Sequence, residues 1–409
     1  MPVTNRRLVA TRPSFADLWE TPSELRHSQG YAHTLSEIWQ QPELWRETAQ
    51  RVAAWLPEAS GFLREAKAIL LTGSGSSYFV GKCLATGIQQ TLSIPVSAVE
   101  SGEILMLGAA VLPPERPLLV VSFARSGDSP ESWGLVQHLL DEEPEVRHLL
   151  ITCNPQGRLA RMWGEDGTDA DPRVKVLMMD ERCCDQSLVM TSSFTSMAVA
   201  GLGLAYRPDG IARYLADAEH LAAAVSDLLE NGLGALEDLP VSQVERMIAV
   251  GSGALDGAAK EVALKMLEMS DGRVLTRSDG CLGLRHGPMC ALHSRSLLFL
   301  PLSSHPLRRA YQMDLLHEIH RKRLGGWKVI VAGSVPAEVL GPNDLAIELP
   351  QLRGLGDEWV AVASVVVGQL LAFLRCQSEG LRPDEPAVSD SITRVVGGFT
   401  LHNLSAGVS

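Results

Sequence analysis

Short apolar runs alternate along the chain with longer stretches of helical periodicity. The apolar runs lie at 68–71, 118–121 and 148–151 in the first half, and at 247–250, 297–300 and 328–331 in the second. Runs of this length, bounded by turn residues and separated by helical lengths, are typical of buried parallel strands. The pattern predicts an α/β fold with a parallel sheet between layers of helices, and it predicts this unit twice.

A Gly-Ser-Gly turn follows the first predicted strand of each half, and a helical stretch follows each turn. The two turns are Gly73-Ser74-Gly75 and Gly251-Ser252-Gly253. This shared position favours duplication of one α/β unit over two unrelated domains. Ligands of such sheets bind beyond the carboxyl ends of the strands, which is where both turns lie.

The length of 409 residues also favours two globular units. We predict an N-terminal helical segment at 1–44, a first domain at 45–210, a second domain at 225–382 and a C-terminal tail at 383–409. The first domain is expected to bind phosphate, and the second to supply a catalytic helix and a histidine loop.

Neither glycine turn matches a dinucleotide fingerprint, because Tyr78 stands where the third glycine of the first turn belongs and Gly257 comes one position late in the second. Glu100, after the strand-like stretch 96–99, could mimic a ribose-binding acid and leaves dinucleotide binding as an alternative. A turn of small residues and hydroxyls that opens a helix is suited to binding one phosphate. For either turn alone, tight packing explains the glycines equally well.

A second hydroxyl-rich segment, Ser122 to Ser132, again follows an apolar run and again precedes a helical stretch. Two such turns from neighbouring strands can converge on a single phosphate. A third polar run, which contains Ser192 and Ser193, either closes the same site or caps the apolar helix that follows.

The stretch 254–270 has three charged residues on one predicted helical face. Glu261, Lys265 and Glu268 stand at i, i+4 and i+7. An ordinary solvated ion pair would have the same spacing. A partly buried glutamate beside a lysine also suits the proton transfer of aldose–ketose chemistry. His286, between Arg285 and a Gly-Pro turn, is the nearest candidate for ring opening.

Composition and charge exclude several classes of function. The net charge of -12 argues against nucleic acid as a partner, and the longest basic run, Arg321 to Arg323, is short. We expect neither a signal peptide nor a membrane span, because no apolar h-region follows the two N-terminal arginines and no apolar stretch has the length of a span. Seven scattered cysteines indicate neither a disulfide framework nor a metal site, which favours a reducing cytoplasm. His317 and His320 are interpreted as helix surface, and we expect no metal.

Several motifs together resemble the sugar isomerase (SIS) family. They are the segments 73–77, 122–132, 153–159, 187–194 and 260–288, and the similarity extends over nearly the whole chain. More narrowly, the chain resembles the AgaS branch of galactosamine-6-phosphate deaminase/isomerases. The resemblance implies two tandem SIS domains, each a parallel-sheet α/β/α sandwich of flavodoxin-like type, and a reaction without metal or organic cofactor.

The resemblance also implies roles for individual residues. By similarity to the isomerase half of glucosamine-6-phosphate synthase, Glu268 moves the proton between C1 and C2, and His286 opens the sugar ring. Glu261 and Lys265 match its supporting helix residues. The phosphate-binding positions of that relative correspond to Ser76, Ser77, Arg125, Ser126 and Ser129. Its histidine reaches the active site of a neighbouring subunit, so a homodimer or larger homo-oligomer with shared sites is implied.

The chain departs from the synthase pattern at three residue positions. Ala124 replaces a phosphate-loop serine, and Arg125 replaces a neutral amide. A lysine near the synthase C-terminus has no counterpart here; Arg394 is the nearest cation and is not assigned its role. We also expect no glutamine amidotransferase domain before the pair, and therefore release of ammonia instead of its use in synthesis.

The sequence therefore predicts an enzyme that converts an amino-sugar phosphate into a ketose 6-phosphate and ammonia. Galactosamine 6-phosphate and tagatose 6-phosphate are the favoured substrate and product. Two alternatives remain open: an aldose–ketose phosphate isomerase that does not deaminate, and a non-catalytic sugar phosphate sensor. The expected partners are a small sugar phosphate and further copies of the chain, with neither nucleic acid nor a membrane.

Overall fold

The computed structural model describes residues 13–206, 208–389, 391–398 and 400–402. Its strands are β1 Ala68–Gly73, β2 Val96–Glu100, β3 Leu118–Ala124, β4 Val146–Thr152, β5 Val174–Met178, β6 Arg246–Val250, β7 Leu275–Asp279, β8 Ser296–Pro301, β9 Trp327–Ala332 and β10 Asp344–Glu348. Its helices are α1 Phe15–Glu20, α2 Ser23–Gln29, α3 Ala32–Trp39, α4 Gln41–Glu65, α5 Ser76–Leu92, α6 Ser101–Leu107, α7 Pro130–Glu142, α8 Arg158–Trp163, α9 Ser192–Leu202, α10 Ile211–Asn231, α11 Gly234–Glu237, α12 Ala254–Met269, α13 Pro306–Lys322 and α14 Asp357–Ser378.

The strands form two separate five-stranded sheets, and every pairing in them is parallel. The first sheet has the order β2-β1-β3-β4-β5, and the second has the order β10-β9-β8-β6-β7. Read from β7, the second order repeats the first, so both halves have the flavodoxin-like order 2-1-3-4-5. This confirms the predicted α/β fold and its duplication.

The apolar runs located six of the ten strands, and those six include the central strands of both sheets. The other four are the edge strands: β2 corresponds to the strand-like stretch 96–99, and β5, β7 and β10 were not predicted. Each edge strand is partly exposed and mixes charged with apolar residues, as in the sequence Leu275-Thr-Arg-Ser-Asp279. An edge strand has a neighbour on one side only, so its sequence lacks the continuous apolar run of a buried strand.

One apolar core joins the two halves. It includes Val121 of the first sheet, Phe299 of the second sheet and residues of the helices between them. Helix α12 packs closely on its neighbours: a Cβ at Gly257 would lie 2.5 Å from the backbone nitrogen of Cys83 on α5. On α14, a Cβ at Gly368 would lie 2.4 Å from a methyl group of Val262 on α12. The catalytic helix predicted from the sequence is therefore held between both halves.

The N-terminal helices pack on this core through aromatic residues. Phe15 and Trp45 are fully buried, and the Phe15 ring lies 5.3 Å from that of Trp39. The segment after α14 contacts the same helices, since the Asp384 carboxylate accepts hydrogen bonds from the backbone nitrogens of His33 and Thr34 at the start of α3. The residue limits given above for the domains stay predictions.

Among the described residues, only α14 is long and apolar enough to cross a membrane by length and composition. The whole of its apolar window is buried inside the protein. The helix therefore has the surroundings of a core helix.

Candidate active site

The first glycine turn lies at the carboxyl end of β1 and opens α5. A Cβ at Gly73 would lie 2.7 Å from the backbone of Ser77, and Gly75 has a φ of +54°, so the turn requires glycine at both positions. Ser76 and Ser77, the first two residues of α5, are both buried. The second turn has the same shape, with Gly253 at a φ of +61°, but Ala254 and Leu255 follow it. Only the first turn therefore offers paired hydroxyls.

A second loop, from Arg125 to Ser129, connects β3 to α7. It lies beside the first turn because β1 and β3 are neighbours in the sheet. Ser129 precedes the first residue of α7, and its hydroxyl lies 2.6 Å from that of Ser132. The Ser126 hydroxyl accepts a hydrogen bond from the backbone nitrogen of Asp128 at 3.3 Å.

A cavity of about 110 Å³ separates the two loops at the point where the strand order reverses, the usual ligand position in such sheets. Its lining consists of Ser74, Ser77, Ala124, Arg125, Ser126, Gly127, Ser129, Glu131, Ser132, Met190, Arg394, Val395 and Val396. The structure therefore brings Ser77, Arg125, Ser126 and Ser129 together, as the sequence led us to expect. The segment 394–396 of the C-terminal tail closes one side.

Arg125 is held by backbone carbonyls. Its Nη1 donates to the carbonyl oxygens of Ser187 and Leu188 at 3.3 and 3.1 Å, and its Nη2 donates to that of Arg394 at 2.6 Å. Burial lowers the pKa of Arg125 from its ordinary value, and the nearby Asp185 carboxylate opposes this effect. Arg125 thus supplies positive charge to the cavity and also joins the 187–188 segment to the C-terminal tail.

The three charged residues of α12 form one cluster. The Nζ of Lys265 lies 2.5 Å from Oε2 of Glu268 and 3.3 Å from Oε1 of Glu261, and only the contact with Glu268 has hydrogen-bond alignment. Lys265 also donates to the Ser76 hydroxyl at 3.2 Å. Glu261 and Lys265 are buried, whereas the Glu268 side chain is 21% exposed. Glu268 is thus the member of the cluster that a ligand can reach.

Burial dominates the electrostatics of this cluster. It raises the pKa of Glu261 to about 7, although the Lys265 ammonium opposes the shift. Burial also acts to lower the pKa of Lys265, but the two glutamates outweigh it, and the net shift is upward. Lys265 therefore stays protonated at neutral pH and places its charge beside Glu268.

His286 lies on an exposed turn between β7 and β8. Its backbone nitrogen donates to the carbonyl oxygen of Gly283 at 2.9 Å, and the preceding Arg285 forms an ion pair with Glu318 at 2.7 Å. Within the described ranges, no hydrogen bond or ion pair joins the His286 ring to the charged cluster of α12. Its role in the active site of a neighbouring subunit stays a prediction.

Ser192 and Ser193 are fully buried at the start of α9, and they face a carboxylate of the chain itself. Asp185 accepts hydrogen bonds from the backbone nitrogens of Thr191, Ser192 and Ser193 at 2.8, 3.1 and 3.0 Å, and from both serine hydroxyls. This arrangement caps the helix with an internal anion. Neither serine is in the lining of the cavity, so the contacts favour the capping alternative over a direct part in substrate binding.

A second buried carboxylate, that of Glu37 on α3, supports the same loop. It accepts hydrogen bonds from the backbone nitrogens of Gln186 and Ser187 and from the Thr191 hydroxyl. Burial, followed by repulsion from Asp185, raises the pKa of Glu37 to about 7. Sequence reasoning missed both acids, although the hydroxyl-rich run after Asp185 was a signal for a capped helix.

Potential metal ligands are dispersed. Among the described residues, no group of three or more His, Cys, Asp or Glu side chains could hold a metal ion. His317 and His320 are both exposed on α13, in agreement with their interpretation as helix surface.

The comparisons with known proteins agree on one protein family. The SIS domain family model matches residues 62–200. A Streptomyces coelicolor protein that carries the name AgaS is 38% identical over 94% of this chain and 99% of its own. The D-galactosamine-6-phosphate deaminase AgaS of Escherichia coli O157:H7 is 32% identical, covering 90% of this chain and 95% of the relative. The crystal structure of tagatose-6-phosphate ketose/aldose isomerase from Escherichia coli superposes with a TM-score of 0.79 at 30% identity, covering 91% of this chain and 97% of that one.

Proposed function

Because this chain belongs to the SIS-domain family, in the branch of the AgaS proteins, we propose that it is an amino-sugar phosphate deaminase/isomerase. Its favoured substrate is galactosamine 6-phosphate, and its products are tagatose 6-phosphate and ammonia. The names of the E. coli relatives support both the amino-sugar substrate and the ketose product.

The structural support for the proposal is one pair of contacts: the Lys265 side chain connects the first glycine turn to the carboxylate of Glu268. Lys265 donates both to Ser76, at the start of α5, and to Glu268, on its own helix. A sugar whose phosphate occupies the cavity between the two loops would extend from a fixed point toward Glu268. Fixing the phosphate in this way aligns a proton on the sugar with the carboxylate.

The reaction follows from this placement. After ring opening, which we assign to His286, the C1 aldehyde acidifies the proton on C2. Glu268 removes that proton and delivers it to C1, which leaves an imine at C2. Water adds to this carbon, and the C–N bond breaks with release of ammonia, so the net change is amino-aldose phosphate plus water to ketose phosphate plus ammonia. Lys265 balances the charge of Glu268 throughout, and we propose that no metal or organic cofactor takes part.

Two other properties belong to the same proposal. We infer a homo-oligomer with shared sites, supported by the exposed position of the His286 turn. We infer a cytoplasmic location, supported by seven cysteines that are all free of disulfide bonds.

The test is a substrate panel with two readouts. The purified protein is given galactosamine 6-phosphate, glucosamine 6-phosphate and tagatose 6-phosphate, and ammonia and ketose are measured together. Equal amounts of ammonia and ketose from galactosamine 6-phosphate support the proposal. Ketose–aldose interconversion without ammonia would identify a plain isomerase instead, and binding with neither product would identify a sensor.

A further inference from the structure

Two loop carbonyls hold Arg125 in the cavity, and helix α3 fixes the same two residues from the other side. The backbone nitrogen of Ser187 donates to Oε1 of Glu37 at 3.0 Å, and its carbonyl oxygen accepts from Arg125 at 3.3 Å. The backbone nitrogen of Leu188 donates to the carbonyl oxygen of Asp384 at 2.9 Å, and its carbonyl oxygen accepts from Arg125 at 3.1 Å. Since the Asp384 carboxylate binds the start of α3, this helix fixes both residues.

Several groups of the loop converge on the Glu37 carboxylate. It accepts hydrogen bonds from the backbone nitrogens of Gln186 and Ser187 and from the hydroxyls of Ser187 and Thr191. Glu37 is only 5% exposed, so water hardly competes for these bonds, and bonds to a charged acceptor are roughly twice as strong as neutral ones. The path of the loop beside Arg125 therefore depends on Glu37.

Stability of the loop alone does not explain a second carboxylate here. Asp185 already caps α9 through the backbone nitrogens of residues 191–193. Burial of Glu37, followed by repulsion from Asp185, raises the pKa of Glu37 to about 7, which shows that its charge is unfavourable at this position. The backbone contacts of Glu37 fall on residues 186 and 187, next to the carbonyl oxygens that Arg125 uses. They point to a role in the cavity.

The orientation of the Arg125 guanidinium decides which of its donors can reach a ligand. A guanidinium has five N–H groups, and backbone carbonyl oxygens of Ser187, Leu188 and Arg394 accept from three of them. Within the described part of the chain, this leaves two N–H groups for a ligand, one on Nε and one on Nη2. Two such groups can bind a phosphate through parallel hydrogen bonds. A shift of the loop would change their direction.

We propose that Glu37 is a positioning residue for phosphate binding: it fixes the 186–188 segment, and through this segment it holds Arg125 in the orientation that binds the substrate's phosphate. The role rests on the proposed function, because it takes the anion of the cavity to be the phosphate of a sugar phosphate. The N-terminal helices then contribute to substrate affinity as well as to the core.

Three replacements of Glu37 separate position from charge. Glu37→Ala removes every acceptor. Glu37→Gln keeps the length: its amide oxygen can accept from the two backbone nitrogens, and its amide nitrogen can donate to the Ser187 hydroxyl, which then donates to the carbonyl oxygen of Val189 at 3.1 Å. Glu37→Asp keeps the charge on a side chain that is shorter by one methylene group.

The readout is calorimetric binding of galactitol 6-phosphate, a sugar phosphate that lacks the carbonyl carbon needed for the reaction. We expect Glu37→Ala to weaken binding at least about tenfold, the loss of one hydrogen bond to a charged group. Glu37→Gln should stay within about threefold of wild type, and Glu37→Asp should lie between the two. Glu43→Ala is the matched control, since Glu43 is exposed, pairs with Arg182 before the loop, and should not affect binding.

A double-mutant cycle with Arg125 tests the route of the effect. Arg125→Met removes the guanidinium, so adding Glu37→Ala should weaken binding by less than about threefold in this background. A loss of the same size with and without Arg125 would overturn the inference, because Glu37 would then act elsewhere.

The single variants decide the rest. Wild-type affinity in folded Glu37→Ala protein, or an equal loss in Glu37→Ala and Glu37→Gln, would overturn the inference and leave the proposed function standing. Should Glu37→Ala fail to fold, weaker binding by Glu37→Asp together with normal binding by Glu37→Gln supports the role, and any other result contradicts it. Wild-type protein that does not bind galactitol 6-phosphate would overturn the sugar phosphate site and this role together.

Discussion

Lys265 donates a hydrogen bond to Ser76 at 3.2 Å, and this contact joins the catalytic helix of the second half to the hydroxyl turn of the first. Neither half could form it alone. The two halves therefore contribute different groups to the site. Helix α5 contributes serine hydroxyls and α12 contributes charged side chains, and the packing of α5 on α12 brings these groups into contact. In the second half, Ala254 and Leu255 stand where Ser76 and Ser77 stand in the first.

Replacement of Lys265 tests this junction. Lys265→Met removes the only described cation beside two glutamates, so we expect kcat to fall by at least about 100-fold, within the usual range for a general base and its support. The free energy of unfolding should fall by about 3–5 kcal/mol, because breaking a buried ion pair leaves uncompensated charge. Steady-state kinetics and urea unfolding measure the two effects.

Lys260→Met is the matched control. Lys260 lies on the same helix and pairs with Asp256 at 2.9 Å, but it is 29% exposed and contacts neither Ser76 nor Glu268. Its replacement should leave kcat within about twofold, since partly exposed pairs contribute little. Similar losses in both variants would mean that any cation on α12 serves, and that the contact with Ser76 has no special role.

The serines at the start of α9 are expected to act through stability. Ser193→Ala should lower the free energy of unfolding by about 1–2 kcal/mol, because it removes one hydrogen bond to the buried Asp185 carboxylate. KM should stay unchanged. Asp185→Ala should destabilise more, by about 3 kcal/mol or more, because it leaves several buried donors without an acceptor. A tenfold rise in KM for Ser193→Ala at unchanged stability would instead indicate that Ser193 binds the substrate.

His148 should make the protein acid-sensitive. The ring is fully buried on β4, neither nitrogen has a hydrogen-bond partner among the described residues, and burial lowers its pKa from 6.5 to about 3. The unfolded chain therefore binds a proton between these values while the folded chain does not, so stability falls as pH drops below 6.5. At pH 5 the cost is about 2 kcal/mol.

His148→Leu removes this proton linkage and replaces an unsatisfied polar ring with an apolar side chain. We expect the variant to be more stable than the wild type at pH 5 and to lose less stability between pH 7 and pH 5. Exposed His317 offers a control, since His317→Gln should not change the pH dependence. Parallel curves of stability against pH for wild type and His148→Leu would show that another group controls acid sensitivity.

The sequence was most informative where burial is strong. Central strands such as β3 and β8 contain uninterrupted runs of four apolar residues, and the pair of glycine turns located the ends of β1 and β6. The spacing of Glu261, Lys265 and Glu268 predicted one helical face, but it could not distinguish a solvated ion pair from a buried cluster. That distinction depends on the tertiary contact with α5, which no local pattern contains.

Contacts between residues far apart in the sequence could not be predicted from local patterns either. Asp185 and Glu37 are ordinary acids in sequence, and each becomes notable only because folding buries it among particular donors. Ser192 and Ser193 show the converse, since a hydroxyl-rich run before a helix predicts anion binding without revealing that the anion is a side chain of the same protein. The C-terminal segment 394–396 could not be placed for the same reason.

We propose that Glu268 transfers the C2 proton in a reaction that releases ammonia. The most direct measurement compares ammonia and ketose formation from galactosamine 6-phosphate by wild type, by Glu268→Gln, and by Glu245→Gln, which alters an exposed acid outside the site. We predict equal amounts of both products for wild type and Glu245→Gln, and a loss of at least about 100-fold in both products for a folded Glu268→Gln protein. Ammonia release by Glu268→Gln at a near-normal rate would show that Glu268 does not transfer the proton.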